Sequence, residues 1–356
     1  MSLGRNVTLA VAAVATLVSV SCSSSADDVF TPEVLPLPAD VNDYAPLAGF
    51  AEMDIPADNP LTAEKAALGR QLYFDHRISG DGSRSCYSCH VCEKGLTDGL
   101  PKAVGAFNKQ LSRSSPSMWN LGFHSLWYWD GRATTLEGQV AAAWKGGNMG
   151  AGDTIDEKIA MLNATPGYSA QFQSVFGEAA TVDNASAAIA SYIRTIIGGN
   201  TPFDAWQAGD ESAVSDAAKR GYEVFQQAGC NECHAAPLFT NMVFHNVGIG
   251  YDAATGEFDD VGRYKVSEAD RDRGAFKTPT LRDIAQSAPY FHDGSVATLE
   301  EAVRLMAGGG IDNPHLDEKL EDRKLSDAQI GDLVAFLESL DEECSFPEPP
   351  LPPDAD

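Results

Sequence analysis

The chain has 356 residues, 44% hydrophobic and 9% aromatic, enough for about two ordinary domains with real cores, and wholesale disorder is excluded. Its 51 acidic residues against 25 basic ones leave a formal charge of -26. That excludes a nucleic-acid binder, because phosphate contacts need clustered Lys and Arg, and no apolar run reaches the ~18 residues of a membrane span.

Residues 1–22 read as an export leader: Arg5, about a dozen apolar residues from Val7 to Val18, then small residues. A buried helix is the alternative, but Ser19 to Ser25 follow at once with no packing partner. The stretch before Cys22 resembles a bacterial lipoprotein processing site, with Ser19 where that pattern has Leu or Val. Two outcomes stay open: a lipid anchor on Cys22, or plain cleavage to a soluble periplasmic product. Residues 23–46 are rich in Pro and Asp and lack periodicity, so they read as a flexible tether. Residues 346–356 read as a flexible, fraying tail.

Between them, Thr62 to Phe74 reads as a helix capped by Thr62, followed by Cys86-Tyr87-Ser88-Cys89-His90. Ile189, Tyr192, Ile193, Ile196 and Ile197 then fall on one helical face. The order repeats. Ser215 caps a helix to Gln227, Cys230-Asn231-Glu232-Cys233-His234 follows, and Ile330, Leu333, Val334 and Leu337 line a closing helix with a Ser326/Gln329 capping box. Two thiols three residues apart can add to the two vinyl groups of one haem, and the adjoining His then reaches the iron. A zinc knuckle or a redox dithiol would fit a lone CxxC, but neither pair has two further ligands close by. The expectation is therefore all-α, mainly helical with long loops. It has two cytochrome c-like domains, 47–205 and 206–345, each with one covalent haem c. A small residue such as Gly221 would let the first and last helices of a domain cross closely.

The axial partners opposite His90 and His234 decide function. Phe276 to Arg282, Ala288 to Gly294 and Leu299 to Met306 carry a specific resemblance, with Asn59-Pro60-Leu61-Thr62, Ser79-Gly80-Asp81-Gly82, Trp129-Asp130-Gly131-Arg132 and Leu136-Glu137. From about Asn59 to Leu340 the chain resembles the bacterial di-haem cytochrome c peroxidases, a family that includes the MauG-type enzymes. The resemblance implies that Met306, fourteen residues after His292, ligates the second iron, making it a closed electron store. A core Met on a helix is the plain alternative. MauG itself is expected to use a Tyr there, so Met306 favours the peroxidase side.

At the first iron, the family's His sixteen residues after the proximal one is replaced by Ala106, and no His occurs between His90 and His124. His124 reads as packing, with a ligand role as the alternative, and His76 as a residue that could swing in. The first haem is thus expected to be five-coordinate or water-bound. The resemblance puts Gln139 in that pocket and Trp129 between the haems as an electron relay, with simple packing as the alternative for Trp129. Asn148 stands where the family has a proton-transferring Glu, and an amide cannot shuttle a proton as a carboxylate can. Asp153 is a candidate substitute, and Ala143 replaces a family Pro.

The family's calcium would map to the Ser114 side chain and to the carbonyls of Ser287 and Pro289, with Ser114 a weaker donor than the usual Asn. Cys92 and Cys344 remain, and in an oxidising compartment two spare thiols commonly pair. The leading expectation is a periplasmic peroxidase that reduces hydrogen peroxide to water with electrons from a small donor protein, a cytochrome c or a cupredoxin. The negative charge suits a donor with a basic docking face, or serves solubility alone. A MauG-like oxidase of a protein substrate and a plain di-haem electron carrier are the alternatives. A homodimer is a further expectation.

Overall fold

The structure, a computed structural model, describes residues 50–354. The leader, the tether and Cys22 lie outside the described residues. Ten helices appear among the described residues: α1 (Ala63–Phe74), α2 (Leu136–Lys145), α3 (Ile155–Ala164), α4 (Pro166–Phe176), α5 (Val182–Arg194), α6 (Pro202–Gln207), α7 (Asp216–Gln227), α8 (Tyr264–Ser267), α9 (Leu299–Ala307) and α10 (Asp327–Glu338). Two small antiparallel pairs sit in the second half, β1 (Phe244–Asn246) with β4 (Ala275–Lys277) and β2 (Tyr251–Asp252) with β3 (Glu257–Phe258). None of these helices is long and apolar enough to cross a membrane.

Two helix crossings organise the chain: α1 against α5, and α7 against α10. Thr62 starts α1 by accepting from the Lys65 N–H at 3.2 Å, and Ser326 with Gln329 forms the expected capping box of α10. Thr181 with Asn184 makes a further capping box at α5. Glycine at each crossing is a steric necessity. A Cβ on Gly69 would stand 1.8 Å from the Ala188 carbonyl oxygen, and one on Gly221 1.9 Å from that of Asp332. Leu68, Leu72 and Tyr73 bury against Ile189, Tyr192 and Ile193, and Ile196 stays in that core although α5 already ends at Arg194. In the second domain Phe225, Ile330, Leu333, Phe336 and Leu337 make the core. Full burial of each such side chain stabilises by roughly 1.5–3 kcal/mol before entropy is counted.

Two boundaries differ from expectation. Phe203 of α6 is buried in the second core, edge-on to Tyr222 and Phe239, so the divide falls just before α6 and not after 205. The stretch 346–354, expected to fray, is an extended strap on the first domain. The Arg70 guanidinium donates to the Pro347 carbonyl at 2.6 Å and Arg77 to that of Pro352 at 2.9 Å, while Phe346 packs on Trp119. Cys92 and Cys344 are disulfide-bonded and anchor the strap's start.

The duplication runs deeper than the helices. Residues 114–145 repeat as 277–308 at one constant offset of 163 (298 minus 135 at the capping threonines of α9 and α2). Backbone conformation repeats with it. Asn120 and Asp283 have φ 62° and 55°, Tyr128 and Phe291 both 68°, Gly131 and Gly294 64° and 63°. Each copy closes its loop with one bridge, Trp127–Ala133 or Tyr290–Val296. The copies also exchange equivalent hydrogen bonds. Ser114 N–H donates to the His292 carbonyl at 2.7 Å, and Lys277 N–H to the Trp129 carbonyl at 2.8 Å. The two domains therefore meet about a pseudo-twofold axis.

Candidate functional site

Both CxxCH motifs sit in short 3-10 turns, Cys86–Ser88 after α1 and Cys230–Glu232 after α7. The two histidines are held alike. His90 Nδ1 lies 3.0 Å from the Leu96 carbonyl oxygen and His234 Nδ1 3.1 Å from that of Phe239. A carbonyl accepts only, so Nδ1 carries the proton and Nε2 keeps its lone pair for a metal. Burial pushes both imidazoles down to about 4, so they are neutral ligands.

Each histidine and its two thiols line a cavity. The first, of about 970 Å³, is lined by Cys86, Cys89 and His90, and also by Gln139, Ala143, Asn148 and Met149. The second, of about 280 Å³, is lined by Cys230, Cys233, His234 and Met306. A reactive-vinyl porphyrin fits this donor set: two thiols and one Nε2 on one wall of an apolar space, twice. Cys86, Cys89 and His90 would hold one haem, Cys230, Cys233, His234 and Met306 the other.

The repeat makes the asymmetry concrete. Met306 is the eighth residue of α9, and the same place in α2, 163 residues earlier, is Ala143. Both side chains line their cavities, but alanine offers no ligand atom. Of the other residues weighed, Ala106 is buried off the cavity, His76 is exposed and away from it, and Asp153 is exposed and does not line it. His76 and Asp153 therefore stand outside the first cavity in this structure. His124 does line the first cavity, but its Nδ1 is taken by Lys277 Nζ at 2.9 Å. Gln139 and Asn148 reach the first cavity as expected.

Trp129 lines both cavities. Its indole N–H donates to the Ser114 carbonyl at 3.0 Å, and its own carbonyl receives Lys277. An ion-pair knot fixes the turn that carries it. Arg113 bridges Asp130 (2.8 Å) and Asp260 (2.7 Å), Arg132 joins Asp130 at 2.9 Å, and Arg263 donates to the Asp130 and Gly131 carbonyls. Burial works against the Asp260 carboxylate, but Arg113 and the Gly262 N–H hold its pKa below the usual range. This knot was not legible in sequence, since Arg113 and Asp260 lie 147 residues apart.

The matching family models are the di-haem cytochrome c peroxidase over residues 63–212 and cytochrome c over 218–341. The cytochrome-c peroxidase IdrP1 of Denitromonas iodatirespirans is 37% identical, over 97% of this chain and 96% of that protein. The chain belongs to the di-haem cytochrome c peroxidase family. The methylamine utilization protein MauG of Methylorubrum extorquens is 39% identical over 81% of each chain. A crystal structure of a MauG-like protein associated with microbial copper homeostasis superposes with a TM-score of 0.76 at 30% identity, covering 83% of this chain and 94% of that one. The family's haem pair agrees with the paired motifs here.

Calcium fares differently. Ser114 Oγ already donates to the Phe291 carbonyl at 2.8 Å and Ser287 Oγ to the Ile284 carbonyl at 3.0 Å. No cluster of three or more His, Cys, Asp or Glu suited to a metal occurs among the described residues. Calcium at the Ser114 side chain and the Ser287 and Pro289 carbonyls is an expectation of the resemblance alone. Direct hydrogen bonds from Ser114 join the domains.

Proposed function

We propose that the chain is a periplasmic di-haem peroxidase that reduces hydrogen peroxide to water with electrons from a small donor protein. The observation that carries the reading is the pair Met306 and Ala143, equivalent places on equivalent helices, one with a thioether and one with a methyl group. When bound, the haems supply an open iron for the oxidant and a closed, higher-potential iron for the incoming charge. Met306 would close the second site, and Ala143 would leave the first accessible. Trp129 sits where it can relay an electron from one to the other, and the Arg113–Asp130–Asp260 knot keeps its indole in place. Gln139 offers an amide N–H to an oxygen ligand in the first cavity, and Asn148 lines the same cavity.

The leader at 1–22 supports the periplasm, Cys22 supports a lipid anchor, and the charge of -26 supports a donor with a basic docking face. A cytochrome c or a cupredoxin fits that description.

A second reading, a MauG-like oxidase of a protein substrate, is favoured by Asn148 and by the aromatic run Trp127-Tyr128-Trp129. Arg132 stacks 3.5 Å over the Tyr128 ring of that run. Asn148 cannot take and return a proton, so peroxide turnover then depends on water or slows. Steady-state assay with peroxide and reduced cytochrome c decides. Sustained oxidation of the cytochrome supports the peroxidase. No turnover, with peroxide-dependent oxidation of an added protein, supports the oxidase. A plain carrier reacts with peroxide in neither assay.

A further inference from the structure

Four carboxylates line the two cavities, and all have cationic partners. Asp130 and Asp260 are held by Arg113, Asp317 by His245 at 2.6 Å, and Glu232 by Lys319 at 3.1 Å. Lys277 lines both cavities and is 8% exposed, yet among the described residues its ammonium meets only His124. Because His124 Nδ1 accepts from Lys277, His124 Nε2 carries a proton. That N–H is buried and without a partner among the described residues, on a side chain that lines the first cavity. A buried ammonium and a buried N–H donor left unanswered are both costly. A buried ammonium with no carboxylate partner among the described residues calls for an oxyanion.

We propose that Lys277, aimed by the His124 Nδ1 that accepts from it, receives a propionate of the haem in the first cavity. This rests on the haem reading above. The repeat shows why there is one such cation: the counterpart of Lys277 in the first copy is Ser114, whose hydroxyl serves the domain contact. Burial alone lowers the Lys277 ammonium to about 8, as expected where the chain itself supplies no counter-charge. The pair acts by positioning and by charge. A fixed positive group beside the porphyrin carboxylate disfavours the ferric state and raises the potential of that haem.

The test uses the full holoprotein and three variants: Lys277→Met, Lys277→Arg and His124→Phe. Haem content is read as the pyridine haemochrome, the propionate contact as the resonance Raman propionate-bending band, and each midpoint by spectroelectrochemical titration. We expect Lys277→Met to keep two haems, to lower the frequency of the propionate band, and to shift the first haem's midpoint negative. Lys277→Arg keeps the midpoint near that of the parent. An unchanged band or midpoint in a folded, two-haem Lys277→Met protein overturns the assignment, as does an equal fall in the Arg variant. Should Lys277→Met fail to fold, His124→Phe decides: it removes the acceptor that aims the ammonium, a band shift supports the assignment, and an unmoved band overturns it. A parent protein without two haems would instead fail the underlying haem reading.

Discussion

Adding one methyl group at Gly221 opens the crossing on which the second domain is built. A Cβ there would lie 1.9 Å from the Asp332 carbonyl oxygen, 2.5 Å from its carbon and 2.8 Å from the Phe336 Cβ. Ordinary carbon-to-oxygen approach ends near ~3.3 Å, so α7 and α10 must part by roughly 1.4 Å. The obstructing atom is backbone inside α10 and cannot rotate aside. Such overpacking costs about 1–3 kcal/mol, and a blocked backbone belongs at the upper end. Ala in place of Gly returns roughly 0.5–1 kcal/mol in a helix interior. Gly221→Ala should therefore destabilise by about 2 kcal/mol. Gly331 provides the control: it lies in the same helix pair, is exposed, and has nothing within 4 Å of its Cβ position. Gly331→Ala should stabilise by about 0.5–1 kcal/mol. Guanidinium denaturation of the holoprotein, followed by far-UV circular dichroism, reads both. Two variants that move in the same direction would refute the crossing argument.

Three further outcomes follow from the site. Ala143→Met, which gives the first domain the residue of its copy, should convert the first haem to a six-coordinate low-spin centre and suppress peroxide turnover, read by optical and EPR spectra beside the assay. Trp129→Phe should slow inter-haem electron transfer on the order of tenfold, about 1.4 kcal/mol in barrier, with haem content and spin states unchanged, read by stopped-flow reduction. Burial, with Glu342 and Asp341 nearby, raises Asp283 to about 7, above its ordinary ~3.9. The native state then binds the extra proton between about pH 4 and 7, so stability is fullest below that window and falls as pH rises through it. Asp283→Asn should flatten that fall and leave the variant more stable than the parent at pH 8, by a few kcal/mol at most at about 1.36 kcal/mol per unit. Denaturant titrations across pH 4 to 8 check it.

Much of this was written locally and therefore legible. The CxxCH motifs, the caps at Thr62, Ser215 and Ser326, and the apolar face around Ile189 each need only near neighbours in sequence, and each stands where expected. The Cys92–Cys344 pairing followed from which thiols were left over. The strap was misjudged because its composition, Pro with acids, looks unable to pack. What holds it is its backbone carbonyls, which two distant arginines find. Lys277 and His124, 153 residues apart, were hidden for the same reason. The 163-residue repeat was readable in principle, because Thr-Leu-Glu recurs at 135 and 298 after matching Asp-Gly turns. Side-chain differences at Trp129/His292 and Ala143/Met306 masked it, and those are positions to which the proposed function assigns different roles in the two copies.

The most direct measurement is the EPR spectrum of the oxidised holoprotein. One high-spin and one low-spin ferric signal in equal amounts is the predicted result, with Met306 the proposed ligand opposite His234 and Ala143, in the matching place, offering none. Two low-spin signals would mean that a side chain also closes the first iron, and the account of the chain as a peroxidase would be contradicted.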